Sequence, residues 1–255
     1  MKIFYLILFF ILGTFFGSFY TVVGLRLPKH IDFIKKRSHC DSCFHELSMF
    51  DMVPIISYLF LRGKCRYCGC KVSNISTYME LFTGILFLVS YYVFGFSYEL
   101  FFALGIVSLL IILSVSDITY FIIPDEVLIF FSGYFIILTT LQRGVFTAVT
   151  SILSGLVLFL FMYLIMMLGN FFFKKESLGG GDIKLMFVIG LVISPLLGIF
   201  LIFIASFLAL PVSLLILIRK NQNLVPFGPF LLISFALIYF TGIDVYTILN
   251  WIQSI

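Results

Sequence analysis

Two acidic residues lie at the edges of strongly apolar stretches, where a carboxylate is unusual. Asp117 lies near the end of residues 100–120, and Asp182 closes a Gly-Gly-Gly-Asp sequence and opens another apolar stretch. An ionised carboxylate at bilayer depth costs about 2.5–3.5 kcal/mol even on the milder insertion scales, so such a residue is normally paired or functional. If the two carboxylates meet, they share a proton, and one acts as general base on water while the other acts as general acid. The pair predicts the chemistry of an aspartic protease at the membrane edge.

The glycines before Asp182, among them Gly179 and Gly181, allow the backbone to approach a second chain or a substrate closely. A phosphate-binding loop is disfavoured, because no strand precedes the motif and no Gly-Lys-Ser/Thr follows it. Helix capping by Asp182 stays open, since a carboxylate is favoured at a helix N-terminus. Capping is the better interpretation of Asp125, which follows a proline. A divalent cation held by Asp117 and Asp182 is also open, although two acids are few oxygen ligands for it.

Glu80 is a third acid in an apolar stretch, one turn into residues 75–94. The simpler interpretation is that its side chain extends to the polar surface. A contact with Arg26 or Lys64 in the preceding polar loop is the alternative.

All five cysteines lie in one polar stretch, residues 26–74. Two Cys-x-x-Cys pairs at such a separation are typical of a structural zinc site with four thiolate ligands. A closed site of this kind leaves no position for water, so zinc would stabilise the loop and not catalyse. The predicted ligands are Cys40, Cys43, Cys65 and Cys68.

Three alternatives to this ligand set remain. Two disulfides would need an oxidising compartment, which the predicted topology disfavours. Cys70 can compete with Cys68 for the fourth position, and His39 and His45 flank the first pair and can replace a thiolate.

The composition indicates which elements must position these groups. The 255 residues are 62% hydrophobic and only 11% charged, which excludes a soluble fold because large apolar patches would remain exposed. The apolar stretches are continuous and do not alternate with polar residues, which disfavours a membrane β-barrel. We therefore predict an all-α polytopic membrane protein.

The apolar stretches predict about eight transmembrane helices and a short surface segment at 52–61. Residues 183–218 are too long for one crossing, and Ser194-Pro195 divides them into two. The predicted domains are a first helix at 1–25, a cytoplasmic zinc-binding loop at 26–74 and a seven-helix membrane domain at 75–255. The stretches are 3–25, 75–94, 100–120, 126–141, 145–172, 183–218 and 227–248.

The basic residues give the orientation. If the loop 26–74 is cytoplasmic, 14 of the 16 Lys and Arg residues lie on that side, with only Lys2 and Arg143 on the other. The positive-inside rule then places both termini outside, and the cysteine loop, Asp117 and Asp182 at the cytoplasmic face. The net charge of +4 is explained by orientation, and no nucleic-acid partner is expected.

Several motifs, in this order along the chain, together resemble the type IV prepilin peptidases of bacteria. Gly-x-Gly-Asp alone is weak evidence, but with the paired cysteines and eight predicted helices it is specific. The motifs are Gly17-Ser18-Phe19, Arg26-Leu27-Pro28, both cysteine pairs, Pro54 to Leu59, Glu80-Leu81, Asp117, Ile123-Pro124-Asp125, and Gly179 to Asp182 with Lys184.

The resemblance implies an enzyme of the inner membrane that removes the leader of prepilin-like proteins after a glycine, on the cytoplasmic face. Asp117 and Asp182 match the catalytic pair of the family, and Gly179, Gly181, Lys184, Asp125 and Glu80 match supporting positions. The family often also methylates the new N-terminus with S-adenosylmethionine.

Two departures from the family pattern concern the amino-terminal half, to which methylation is usually ascribed. Thr21 stands where the family commonly has Asn, and the link from Pro28 to Cys40 is short. Cleavage is thus the firmer expectation than methylation. The alternatives are an intramembrane aspartic protease of other signal or stem sequences, and a membrane transporter or scaffold with a zinc-stiffened loop.

Overall fold

The computed structural model describes residues 1–32, 37–40, 42–174, 178–220 and 225–245. Within these ranges the chain forms α-helices, two short 3-10 helices and two isolated bridges, without a β-strand. The prediction of an all-α protein is confirmed. The helices are α1 Lys2–Arg26, α2 Ile56–Phe60, α3 Ile75–Phe94, α4 Tyr98–Tyr120, α5 Asp125–Arg143, α6 Val145–Phe173, α7 Gly180–Gly190, α8 Pro195–Lys220 and α9 Gly228–Thr241.

Six of these helices are long and apolar enough to cross a bilayer, namely α1, α3, α4, α5, α6 and α8. The protein is therefore a multi-pass membrane protein. The short α7 and α9, with 11 and 14 residues, occupy the two other predicted apolar segments. The predicted division of residues 183–218 is confirmed, because α7 ends at Gly190 and α8 begins at Pro195.

The last helix is shorter than its apolar stretch predicts. Gly242 adopts a left-handed conformation with φ 64° and ends α9 at Thr241. The predicted end at residue 248 lies outside the described residues.

The chain divides into two compact units, Met1–Leu100 and Phe101–Ile255. The predicted division into residues 1–25, 26–74 and 75–255 separates helix, loop and membrane domain instead, and it stays a prediction.

In the amino-terminal unit, α1 and α3 pack at a distance that glycines allow. Gly13 and Gly17 form a Gly-x-x-x-Gly pair on the face of α1 that meets α3, where Gly84 lies opposite. A Cβ atom on Gly13 would lie 2.8 Å from the Cα of Gly84 and 2.8 Å from the carbonyl oxygen of Thr83. The two backbones are thus in direct contact.

In the carboxy-terminal unit, α4 is the central helix. Ala103, Ile106, Val107 and Leu109 are fully buried on it. The short α7 packs backbone to backbone against α6, because a Cβ atom on Gly190 would lie 2.7 Å from the Cα of Gly155. An 11-residue helix that cannot span the bilayer alone is held in this way.

A Gly13→Ala substitution tests the packing of α1 against α3. The added methyl group would overlap backbone atoms that cannot rotate away, so we expect a loss of about 1–3 kcal/mol and a lower Tm in detergent. Gly133→Ala is the matched control, since no atom lies within 4 Å of its Cβ position and alanine favours a helix. Equal Tm values for Gly13→Ala and the wild type would contradict the packing described.

Candidate functional site

Asp117 is buried near the end of α4, with 6% of its surface exposed. The N–H of Gly228, the first residue of α9, donates a hydrogen bond of 3.1 Å to its Oδ2 atom. The first N–H groups of a helix have no partner within the helix, and they carry the positive end of its dipole. The start of α9 is therefore a built donor for the Asp117 carboxylate.

Asp182 is the third residue of α7 and is 8% exposed. It lies within electrostatic reach of Asp117, so the predicted meeting of the two acids is found within the carboxy-terminal unit. Its Oδ1 atom is buried and has no hydrogen-bond partner among the described residues. Capping does not explain Asp182, because Gly179 holds the N-cap position and no side-chain cap bond forms.

Ile123 lies between the segments that carry the two acids. A Cβ atom on Gly181 would lie 2.8 Å from the Cβ of Ile123. A Cβ atom on Gly228 would lie 3.3 Å from Cδ1 of Ile123 and 2.9 Å from Oδ2 of Asp117. Glycine is thus required at both positions for the segments to approach each other. Gly179 has more room, with only Oδ2 of Asp182 at 3.4 Å from its Cβ position.

Asp125 does not cap α5 with its side chain, which corrects the sequence interpretation. Its carboxylate instead accepts two hydrogen bonds from Nζ of Lys184, at 2.7 and 2.8 Å. The ion pair is half exposed, so it contributes little to stability. It does join the first turn of α5 to the first turns of α7, two residues after Asp182.

Gly228 is the site residue that the sequence reasoning missed. The donor is a backbone N–H, which every residue except proline has, so residue type does not mark it. A signal was nevertheless present, because Pro226-Phe227-Gly228-Pro229 places prolines around the start of an apolar helix.

The four predicted metal ligands come together in the amino-terminal unit. The ligand atoms of Cys40, Cys43, Cys65 and Cys68 all lie within 4.8 Å of one another. The sulfur atoms of Cys40 and Cys68 are 3.8 Å apart. This equals the edge of about 3.8 Å expected for a tetrahedron with metal–sulfur bonds of about 2.3 Å. The described cysteines are free thiols, so the disulfide alternative is not found.

The first cysteine turn is held by two backbone hydrogen bonds. The N–H of Cys40 donates to the carbonyl of His45 at 3.0 Å, and the N–H of Phe44 donates to the carbonyl of Cys40 at 2.9 Å. Backbone N–H groups of Cys43 and Ser42 point at the Cys40 sulfur and lower its pKa to about 6. The thiolate that a metal ion needs is thereby favoured.

The second cysteine turn repeats this arrangement. The N–H of Cys65 donates to the carbonyl of Cys70 at 2.8 Å, and the N–H of Gly69 donates to the carbonyl of Cys65 at 2.9 Å. Cys70 therefore occupies the position of His45 in the first turn. It serves through its carbonyl, and it lies outside the group of converging ligand atoms.

The two flanking histidines make ring contacts instead of joining the ligand group. The ring of His45 packs on Tyr67 with centroids 3.7 Å apart, and His39 stacks on Phe44. The prediction that either replaces a thiolate finds no support in this arrangement.

Asp51 fastens the loop beside the second cysteine turn. Its carboxylate accepts hydrogen bonds from the hydroxyl and N–H of Ser48 and pairs with Arg66 at 2.8 Å. Burial opposes its ionisation, but these Ser48 bonds and the Arg66 charge together hold its pKa below the usual range.

Glu80 is buried and does not extend to the polar surface, which corrects the simpler interpretation. Its Oε2 atom accepts a 2.8 Å hydrogen bond from the N–H of Ile55, and its carboxylate is also bonded to Ser18. Arg26 and Lys64, the predicted partners, line the same cleft as Glu80. This cleft of about 630 Å³ lies between α1, α3 and the cysteine loop.

Two family models match the chain. Residues 11–94 match the bacterial peptidase A24 N-terminal domain, and residues 104–214 match the type IV leader peptidase family. The chain is 36% identical over 241 residues to the prepilin leader peptidase/N-methyltransferase of Bacillus subtilis, an alignment that covers 91% of this chain and 93% of that protein.

The chain belongs to the type IV leader peptidase family. The resemblance predicted from the sequence is confirmed, and with it the prediction of a membrane-bound peptidase.

Further relatives in this family cover similar lengths. The prepilin leader peptidase/N-methyltransferase of Vibrio cholerae is 31% identical over 251 residues, covering 94% of this chain and 98% of that protein. That of Neisseria gonorrhoeae is 26% identical over 268 residues, covering 94% and 92%. No solved structure matches the chain.

Thr21, the departure from this peptidase family pattern, is buried in α1. Its hydroxyl donates a 2.8 Å hydrogen bond to the carbonyl of Gly17 one turn earlier. The side chain is satisfied within its own helix, and it is not among the residues that line the cleft.

Gly181→Ala and Gly180→Ala form a matched pair that tests the geometry around Asp182. The methyl group at position 181 would overlap Cβ of Ile123, whereas nothing lies within 4 Å of the Cβ position at 180. We expect Gly181→Ala to lower peptidase activity at least about tenfold, because small displacements of reacting groups are costly. Gly180→Ala should retain activity within about twofold. Equal activity of the two variants, measured by leader cleavage on gels, would contradict the close approach.

Proposed function

We propose that this protein is an aspartic endopeptidase that removes the leader peptide from type IV prepilin-like proteins, after a glycine, and that it N-methylates the new N-terminus. The observation that carries the peptidase assignment is the buried pair Asp117 and Asp182, with the N–H of Gly228 bound to the first. The names of the relatives support the substrate class and the methylation.

The surroundings of the two acids suggest different roles for them. A hydrogen bond from an N–H favours the charged form of a carboxylate, so Asp117 is the general base. Asp182 has a buried oxygen without a donor, and it faces the charge of Asp117, so it carries the shared proton as general acid. Asp117 takes a proton from water as the oxygen attacks the scissile carbonyl carbon, and Asp182 gives its proton to the carbonyl oxygen.

The substrate would reach this pair from the membrane. Prepilin-like substrates would place an apolar stem among the helices and the leader junction at their polar ends. Asp117 lies three residues before the end of α4 and Asp182 two residues after the start of α7, which suits a junction at the membrane edge. The distribution of 14 of 16 basic residues supports a cytoplasmic location of both acids and an outside location of both termini in the inner membrane.

We assign zinc to the four-cysteine cluster. Four converging thiols with the separation of a tetrahedral edge are the donor set that zinc prefers. The ion would link the two cysteine turns and so stabilise a polar loop that lacks a sizeable apolar core. It would have no open position and therefore no part in the peptidase step.

S-adenosylmethionine is the methyl donor that we assign to the methylation. The cleft of the amino-terminal unit has a volume in the range of small-molecule sites, and it is lined by serines, tyrosine and charged residues. It fits a donor that carries a carboxylate, an ammonium and ribose hydroxyls. The methyl donor supplies an electrophilic methyl group, and the protein must supply the site for the amine.

Replacing either acid tests the catalytic pair. Asp117→Asn and Asp182→Asn should each lower cleavage of a prepilin-like protein by at least about 10⁴-fold, because the remaining acid cannot act as both base and acid. Asp244→Asn, which changes an exposed acid, is the control and should cleave normally. The measurement is cleavage by purified protein in detergent, with Tm values to show intact folds. Normal cleavage by either variant would rule out the shared-proton mechanism.

Metal content tests the zinc assignment, with a cysteine as its own control. Purified protein should contain about one zinc ion per chain by mass spectrometry of metals. Cys43→Ser should lose the ion and lower the Tm, because a tetrahedral site with one ligand removed binds far more weakly. Cys70→Ser should keep both, since Cys70 lies outside the ligand group. Loss of zinc in Cys70→Ser alone would show that the ligand set is wrong.

A further inference from the structure

The cleft of the amino-terminal unit contains a buried acid that the peptidase step does not use. Glu80 lines this cleft, and only 6% of its surface is exposed. Asp51, the other acid among the described lining residues, is already bound by Arg66 at 2.8 Å and by Ser48 at 2.7 Å. Glu80 is therefore the acid of this cleft that is suited to meet a cationic ligand.

The backbone beside Glu80 is strained in order to hold it. Ile55, whose N–H donates to Glu80, has a φ of 61°, a conformation that is rare for a β-branched residue. Such strain costs of order 1–3 kcal/mol and persists where the surrounding structure enforces it, often at functional sites. The hydrogen bond fixes one carboxylate oxygen, and Ser18 provides a second polar contact. Glu80 is thus positioned by contacts from α1 and from the loop.

The position of Glu80 along its helix suits the end of a membrane-embedded substrate. Glu80 is the sixth residue of α3, so it lies in the second turn after the polar loop. The new N-terminus of a cleaved pilin-like protein is an ammonium at the boundary between a polar leader and an apolar stem. A buried carboxylate at the membrane edge is a partner of opposite charge for this group.

We propose that Glu80 binds the N-terminal ammonium of the cleaved product and removes its proton before methylation. This assignment rests on the N-methylation part of the proposed function. It gives the amino-terminal cleft a catalytic residue that is separate from the peptidase pair. The ligand class is the free α-amine of a polypeptide, with phenylalanine as its usual first residue in this family.

The reaction is balanced as follows. The Glu80 carboxylate takes one proton from the ammonium, which leaves a neutral amine and a carboxylic acid. The amine lone pair forms a bond to the methyl carbon of the sulfonium donor while the carbon–sulfur bond breaks, and the sulfur keeps that electron pair. The product is a methylated ammonium, and the positive charge has passed from sulfur to nitrogen. The proton on Glu80 then leaves to water.

Binding without a methyl donor gives the first test. The probe is a soluble peptide with the N-terminal sequence of a cleaved pilin-like protein, either with a free amine or with an acetylated one. At pH 6.5 the full-length wild type should bind the free amine at least about tenfold more tightly, as expected for a hydrogen bond to a charged group. Glu80→Gln should lose this preference. Glu46→Gln, an exposed acid of the same loop, is the control and should keep it.

Methyl transfer to the same free-amine peptide gives a second test that a structural role would not satisfy. Glu80→Gln should be slower than wild type by about 100-fold at pH 6.5, the usual contribution of a general base. The difference should shrink toward pH 9, because an α-amine with a pKa of about 7.7–8.0 is then neutral without help. Leader cleavage by Glu80→Gln should remain normal. Ser18→Ala, a milder change beside Glu80, should show a smaller defect of the same kind and serves if Glu80→Gln does not fold.

The outcomes separate this assignment from the proposed function. If the wild type cleaves and methylates while Glu80→Gln or, failing its folding, Ser18→Ala binds and methylates as the wild type does, only the role of Glu80 is wrong. A methylation defect that stays constant with pH, or that is matched by an equal loss of cleavage, also overturns it. If the wild type cleaves but transfers no methyl group, the methylation part of the proposed function falls together with this assignment.

Discussion

A carboxylate buried among membrane helices must find its hydrogen-bond donors within the protein, since lipid provides none. Asp117 and Glu80 meet this requirement in the same way, by accepting a bond from a backbone N–H at 3.1 and 2.8 Å. One donor is the free amide at the start of a helix, and the other is the amide of a strained residue. The location of the chemistry in this protein therefore depends on where the fold leaves backbone amides without a helical partner.

Close contact between helices makes these donors available. Glycines bring α1 against α3, α6 against α7, and the start of α9 against Asp117. A larger residue at Gly228 would overlap the carboxylate that its amide binds. Each acid is thus positioned by a neighbouring element that has little or no side chain at the point of contact.

The sequence predicted the features that depend on residue type and spacing. Continuous apolar stretches predicted the helices, and the thiol pairs predicted the ligand group that the structure brings together. The meeting of Asp117 with Asp182 followed from helix ends on one side of a bilayer. The features that were missed depend on backbone geometry, such as the Gly228 amide and the conformation of Ile55. Pattern also misjudged Asp125 and Glu80, because a long-range partner replaced the local one that each position suggested.

The hydrogen bond from Gly228 to Asp117 joins residues that are 111 positions apart in the chain. During synthesis, both acids of the pair emerge from the ribosome well before the residue that completes their surroundings. A nascent chain that has inserted α4 to α8 would carry Asp117 without its donor. Because the start of α9 supplies the donor, catalytic competence is acquired only at the final stage of membrane insertion. A partly translated protease of this kind would therefore be a poor one, which limits untimely proteolysis while the chain is still being made.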